Sequence, residues 1–351
     1  MSNDAASTRP GTLLLVVGAG RSGTSTVAGA LSRLGLAVPQ PEVPADESNP
    51  RGFYEPQWVV DFHERLLAGA NVRINDVRPA AVVLAEEHAG REQVAAELRE
   101  WLAPLAAGRD LIVKDPRMFW FLTLWRDAAY AAGLEVAFLT MLRHPAEVAR
   151  SRETHYLAAH DADLRRARET ANVASWCHAL LVSERATRGD RRAFVRYSDL
   201  MSDWRDAMRR ADAALGLDVT RDVTDAHHAI DDFVDRTLHR SQVSWEEMSV
   251  HPSMRDLAEE LWSTAQDLVL DPDDVSTRDR FDDIHRRYLA VYALASDLTM
   301  DQRTVDGAEA RRRVRRLRQE VDRLELENAR LLSGRPLRGV RTLVGRILRK
   351  R

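Results

Sequence analysis

An apolar strand that runs directly into a glycine-rich turn and a small-residue helix leaves few folds open. Residues 13–17, LLLVV, are continuously apolar, the pattern of a strand covered on both faces. Gly18-Ala19-Gly20-Arg21-Ser22-Gly23-Thr24-Ser25 follows, and then a helix with Val27, Ala28 and Leu31 at helical spacing. Backbone N–H groups converge at such a turn, and the helix dipole favours negative charge, so the turn is built to receive an anion. Gly18 and Gly23 have the spacing of a phosphate-binding P-loop, but Thr24 stands where that loop carries its lysine. The missing lysine argues against ordinary nucleotide hydrolysis and leaves the phosphate cradle intact. A bare βα turn would not need the donors that Arg21, Ser22, Thr24 and Ser25 bring together.

Three more apolar runs read as strands, at residues 110–114, 135–142 and 193–197. Helical patterns separate them. One is opened by Pro56 with Trp58, Val59, Phe62, Leu66 and Leu67 on one face. Another spans about 86–105, and an aromatic one holds Phe119, Trp120, Phe121 and Trp125. Alternating strands and helices predict an α/β fold, P-loop-like and three-layered, with a mostly parallel central sheet flanked by helices. Ligands in such sheets bind beyond the carboxyl ends of the strands. Arg21, Lys114, Arg143 and Tyr197 all fall there. Residues 151–190 and 255–300 are largely helical and charged, which predicts a cover for the sheet or a lid.

Composition sharpens this reading at one residue. Of 351 residues only two are lysines, Lys114 and Lys350, against 49 arginines. Lysine is a compact point charge with a movable pKa, whereas arginine is a flat, permanently charged fork. A lysine retained after a buried strand in this background marks a place where arginine would not fit. The single cysteine, Cys177, excludes an intrachain disulfide and fits a reducing compartment. The N-terminal segment is polar and no run of 18 apolar residues occurs, so a cytoplasmic protein is expected.

The net charge of −3 hides a split: residues 311–351 carry +11 and the rest −14. Val314, Leu317, Val321, Leu324, Asn328 and Leu331 keep the three–four spacing of a coiled coil, with Asn328 at an a position that favours an in-register homodimer. Residues 335–351 form a basic amphipathic pattern suited to an anionic membrane surface, at the inner face of the membrane for a cytoplasmic protein. Nucleic acid is not expected, because no aromatic residues interleave the arginines. Three segments are therefore expected: a catalytic domain over 1–305, a coiled coil over 306–333 and a basic tail over 334–351.

GAGRSGTS after the first strand and LTMLRHPAEVARS at the third resemble the two cofactor-binding signatures of the sulfotransferases that use 3′-phosphoadenosine 5′-phosphosulfate (PAPS). YSDL follows them in order, and NPRGFYE and KDPR are most similar to bacterial carbohydrate-type members. The resemblance covers roughly residues 13–197 and extends plausibly to about 300. It implies that Gly20, Arg21, Ser22, Gly23, Thr24 and Ser25 hold the 5′-phosphosulfate and that Arg143 and Ser151 hold the 3′-phosphate. An arginine fork and a hydroxyl donor suit a phosphate. The late Arg-Lys-Gly clamp of cytosolic members is missing, and His239-Arg240-Ser241 is the candidate replacement.

Sulfuryl transfer to a hydroxyl needs a base, cations for the developing charge, and alignment. It needs no metal, and no metal-type cluster stands out; His227-His228 reads as a solvated pair. Arg21 and Lys114 are the cation candidates, the latter because related enzymes place a lysine near the sulfuryl group. Glu55 is the base candidate, by resemblance to carbohydrate enzymes with a glutamate base after the first helix. Asp61 and His63 compete with it, and a helix-end charge is the plain alternative. Tyr54, Trp58, Trp120 and Trp125 flank the expected site, where aromatic faces suit sugar rings and helical cores alike. The resemblance implies a carbohydrate-type acceptor, sulfated on a hydroxyl rather than an amine, and the basic tail 335–351 points to one met at the membrane, such as a glycolipid or an envelope glycan. A small-molecule P-loop kinase and a non-catalytic dimeric nucleotide-binding scaffold are the rival readings.

Overall fold

The computed structural model describes residues 10–47, 49–106, 108–153, 162–234 and 244–332. The tail 335–351 and His239-Arg240-Ser241 lie outside the described residues.

The described strands are β1 (Thr12–Val17), β2 (Leu111–Lys114), β3 (Glu135–Leu142) and β4 (Arg191–Arg196). They form one sheet in the order β2-β1-β3-β4, every pair parallel. This is the expected α/β architecture. Strand interiors are buried on both faces, which is why the sequence shows continuous apolar runs rather than alternation.

Helices α1 (Thr24–Arg33), α2 (Gln57–Gly69), α3 (Ala80–Ala89), α4 (Glu92–Leu102), α5 (Leu122–Ala131), α6 (Pro145–Glu153) and α7 (Ala162–Ala186) precede β4. Then come α8 (Tyr197–Ser202), α9 (Trp204–Leu215), α10 (Ala229–Phe233), α11 (Pro252–Asp267), α12 (Val275–Leu298) and α13 (Met300–Leu332). Leu14, Val16, Ile112, Leu139 and Val195 face one layer, built from α1, α8, α9 and α10. Period-two alternation sends Leu13, Leu15 and Phe138 to the other layer, where α5 and the 3-10 turn Met118–Trp120 pack.

Three expectations need correction. The helix over 86–105 is two helices, α3 and α4, because Gly90 and Arg91 break it. Tyr197 does not end a strand; it opens α8, and β4 stops at Arg196. The segment 151–190 is not merely a charged cover. Residues 173–181 of α7 are buried without interruption, because α6, α11 and the Met118–Trp120 turn pack around that stretch.

The chain divides into two compact units between Leu289 and Ala290. In the second unit α13 is one continuous helix of 33 residues that runs through the boundary expected at 305/306. No described helix is long and apolar enough to cross a membrane.

Candidate active site

The loop after β1 is held in shape by its own backbone. Ser22 gives both its N–H (3.0 Å) and its hydroxyl to the Ala19 carbonyl, and it is fully buried. Ser22 therefore closes the turn, and its amide and hydroxyl do not face a ligand as the sequence reading expects. Gly23, Thr24 and Ser25 enter the first turn of α1, whose N–H groups have no intrahelical acceptors. Gly23 sits at φ +92°, and a Cβ there would lie 2.3 Å from the Tyr197 ring. Only glycine meets both demands. Thr24 is 5% exposed and its methyl packs near Gly18, so it fills the lysine position as packing.

Arg21 adopts φ +77°, a conformation that costs a non-glycine residue about 1–3 kcal/mol. The geometry holds its exposed side chain over the end of the sheet. Its Nε donates to Ser151 Oγ at 3.0 Å. Arg143 reaches the same loop: Nη1 donates to the Arg21 carbonyl at 3.2 Å and Nε to Glu147 at 2.8 Å. The Arg143 guanidinium lies 4.6 Å from the centre of the Tyr197 ring, which fixes its plane. Thus Arg21 from the first signature meets Arg143 and Ser151 from the second, 122 and 130 residues away in the chain.

Lys114, at the end of β2, is 2% exposed and spends three donors. It bonds Ser25 Oγ (3.1 Å), the Phe53 carbonyl (3.3 Å) and the Glu55 carboxylate. One partner is on the loop helix and two are on the proline-rich segment. That segment is itself tied down: Val43 N–H donates to the Glu55 carbonyl at 2.8 Å, and Gln57 N–H to the Pro41 carbonyl at 2.9 Å. The two proposed reacting groups, Glu55 and Lys114, are therefore in contact. Burial pushes the Glu55 carboxyl above its ordinary pKa, and Lys114 pulls it part of the way back.

The competing bases are engaged elsewhere. His63 is fully buried and its Nε2 accepts from Trp125 Nε1 at 2.8 Å. An indole N–H only donates, so Nε2 is the acceptor in this pair. Its Nδ1 stands 3.3 Å from Asp115 Oδ1 without good hydrogen-bond alignment. Asp115 also accepts from the Arg117 N–H (2.6 Å) and side chain (2.8 Å). Burial opposes ionisation of Asp115, but the facing His63 and Arg117 outweigh it and lower its pKa. Asp61 is exposed on α2 and accepts from Gln57 at 2.9 Å.

Of the expected aromatic platform, Trp120 and Trp125 are core residues, 2% and 0% exposed. Trp58 is stacked between Phe62 and Trp101. Tyr54 accepts a bond from Arg33 at 2.9 Å. His228 caps α10 through its ring nitrogen, and only His227 of that pair is solvated. The described residues hold no cluster of three or more His, Cys, Asp or Glu side chains placed to bind a metal ion.

Two arginines escaped the sequence reading. Arg152 is 8% exposed, directly under the loop. It donates to the Gly20 carbonyl (3.3 Å), the Asn172 carbonyl (3.4 Å) and Ser175 Oγ (3.5 Å), with no carboxylate among these partners. Burial, and secondarily the nearby Arg21, lower its pKa to about 10. Its position next to Ser151 in the second signature was the available signal. Arg51, within NPRGFYE, lines a cavity of about 70 Å³ with Ser25, Gly52 and Tyr197. Arg51 and Met201 also line a larger cavity of about 690 Å³, whose walls include Asp203, Asp225, Asp231 and Asp232. Chemically, the arrangement is a cationic anion cradle beside a buried carboxylate–ammonium pair, next to a wide polar cavity.

Residues 14–221 match the model of a family described as the sulfotransferase family. No curated protein matches the chain. Among solved structures, one match is the sulfotransferase domain from the Synechococcus PCC 7002 olefin synthase. It is 17% identical with a TM-score of 0.35, over 72% of this chain and 88% of that one.

Proposed function

The chain belongs to the sulfotransferase family, and we propose that it moves the sulfuryl group of PAPS to a hydroxyl of a carbohydrate-type acceptor. The observation that carries the donor reading is the meeting of Arg21, Arg143 and Ser151 at one loop, above the buried Arg152. A buried guanidinium with no carboxylate among its described partners stabilises an anion bound above it. That charge arrangement fits a donor with phosphates at both its 5′ and 3′ positions.

PAPS, when bound, supplies a sulfuryl group whose bond to the 5′-phosphate breaks as its bond to the acceptor oxygen forms. The residues have distinct tasks around that exchange. Arg21 and the first-turn amides of α1 neutralise charge at the 5′ end, and Arg143 with Ser151 orients the 3′ end. Glu55 takes the acceptor hydroxyl proton. A carboxylate whose pKa is raised by burial is a stronger base than an exposed one. As Glu55 becomes neutral its hold on Lys114 weakens, so the ammonium is released toward the charge that develops on the leaving oxygen. The wide cavity with its aspartates supports a polyhydroxylated acceptor, because carboxylates accept bonds from several hydroxyls at once.

A calorimetric comparison of 3′,5′-ADP with ATP tests the donor assignment. The product nucleotide 3′,5′-ADP should bind more tightly, and Arg143→Ala should weaken it at least tenfold. Preference for ATP, or unchanged binding in Arg143→Ala, would overturn the assignment.

A further inference from the structure

The last described helix, α13, carries an apolar seam that is exposed among the described residues. None of its described residues is buried. Val314, Leu317, Val321, Leu324 and Leu331 are each 48% to 57% exposed. They fall at a and d positions of a heptad pattern that continues back through Ala310 and Gly307. Apolar residues at this period bury their seam only against another helix of the same period. The orientation of that helix is written in the flanking charges.

We propose that α13 pairs antiparallel with α13 of a second copy of this chain, Val314 against the partner's Leu324 and Leu317 against the partner's Val321. In a parallel pair each g residue faces the e residue five places on in the partner. That would set Arg313 against Arg318 and Glu320 against Glu325, each pair occurring twice, with only Asp306–Arg311 favourable. In an antiparallel pair g faces g and e faces e. The proposed register then sets Arg313 against Glu320 and Arg318 against Glu325, each twice, with only Asp306–Glu327 unfavourable. The same result is visible in blocks. Arginines occupy six of the eight positions 311–318, and the acids cluster at 320–327. Reversing one helix lays the basic block of each copy along the acidic block of the other. Asn328, expected from sequence to face its own copy, faces Ala310 instead, where the small side chain leaves its amide room to meet water.

Cross-linking of the full chain tests the orientation. Cys177 is buried, so the unaltered chain should not cross-link. Val314→Cys mixed with Leu324→Cys should give the mixed disulfide dimer under mild oxidation, and Val314→Cys alone should give little. The double variant R318E/E320R reverses the charge logic, making parallel pairs favourable and antiparallel ones unfavourable. In that background the mixed disulfide should be lost and Val314→Cys should cross-link to itself. Sedimentation of the unaltered chain should show a dimer. A monomer at micromolar concentration, self-linking of Val314→Cys in the unaltered background, or a mixed disulfide unaffected by R318E/E320R would each overturn the proposal.

Discussion

Lys114 shows why this arginine-rich chain keeps one lysine inside its body. Three acceptors surround its ammonium, on the loop helix and on the proline-rich segment. A planar guanidinium could not point at all three from so buried a position. Burying the Glu55 carboxylate is costly for stability, and the Lys114 charge offsets that cost only in part. Because burial raises the folded pKa of Glu55, the folded state favours the protonated form. Stability from this group is present below its ordinary pKa and lost as pH rises through the folded value. In the proposed mechanism an ionised Glu55 is the charge that takes the acceptor proton. The rate should rise with pH through an acid limb above the ordinary glutamate range, as the base ionises. Glu55→Gln should lower kcat by about 10²–10⁴ and remove that limb. Near-normal kcat with only a lower melting temperature would reduce Glu55 to a structural partner of Lys114.

At the scale of elements, legibility depended on how many faces an element buries. β1, β2 and β3 were readable because strands buried on both faces are short, continuously apolar and followed by polar turns. Parallel order then carried Arg21, Lys114 and Arg143 to one edge. By contrast, α7 was misread. Its charged first turns hide the fully buried stretch 173–181, and averaging over the helix erases that contrast. Side-chain contacts such as Lys114–Glu55 have no period at all and could be read only from coordinates. The buried part of α7 makes its own prediction. His178 packs between Trp120 and Tyr288, with its Nε2 unpartnered among the described residues. Burial lowers its pKa from 6.5 to about 4. The folded state thus favours neutral His178, so this contribution is complete above pH 6.5 and is lost as pH falls toward 4. Melting temperatures measured across that interval should fall less steeply for His178→Leu than for the unaltered chain. Identical slopes would show that other groups govern acid unfolding.

The whole molecule separates its tasks along the chain. Among the described residues, every buried hydrophobic side chain lies at or before Tyr288, whereas α13 buries none. Charge follows the same division, with an acidic body and a C-terminal stretch of +11 from residue 311. The side chains proposed to hold the donor all lie between Gly20 and Arg152, with Tyr197 orienting Arg143. Stability of the fold and donor binding should then be properties of the first unit. Association should belong to the helix that carries the exposed seam. A chain ending at Thr299 removes α13 and everything after it, and keeps every residue whose hydrophobic side chain is buried among the described ones. It should melt within a few degrees of the full chain and bind 3′,5′-ADP with unchanged affinity, while sedimenting as a monomer. A large drop in melting temperature would mean that α13 supports the fold itself. A persistent dimer would move the association surface off α13 and onto the sheet-bearing unit.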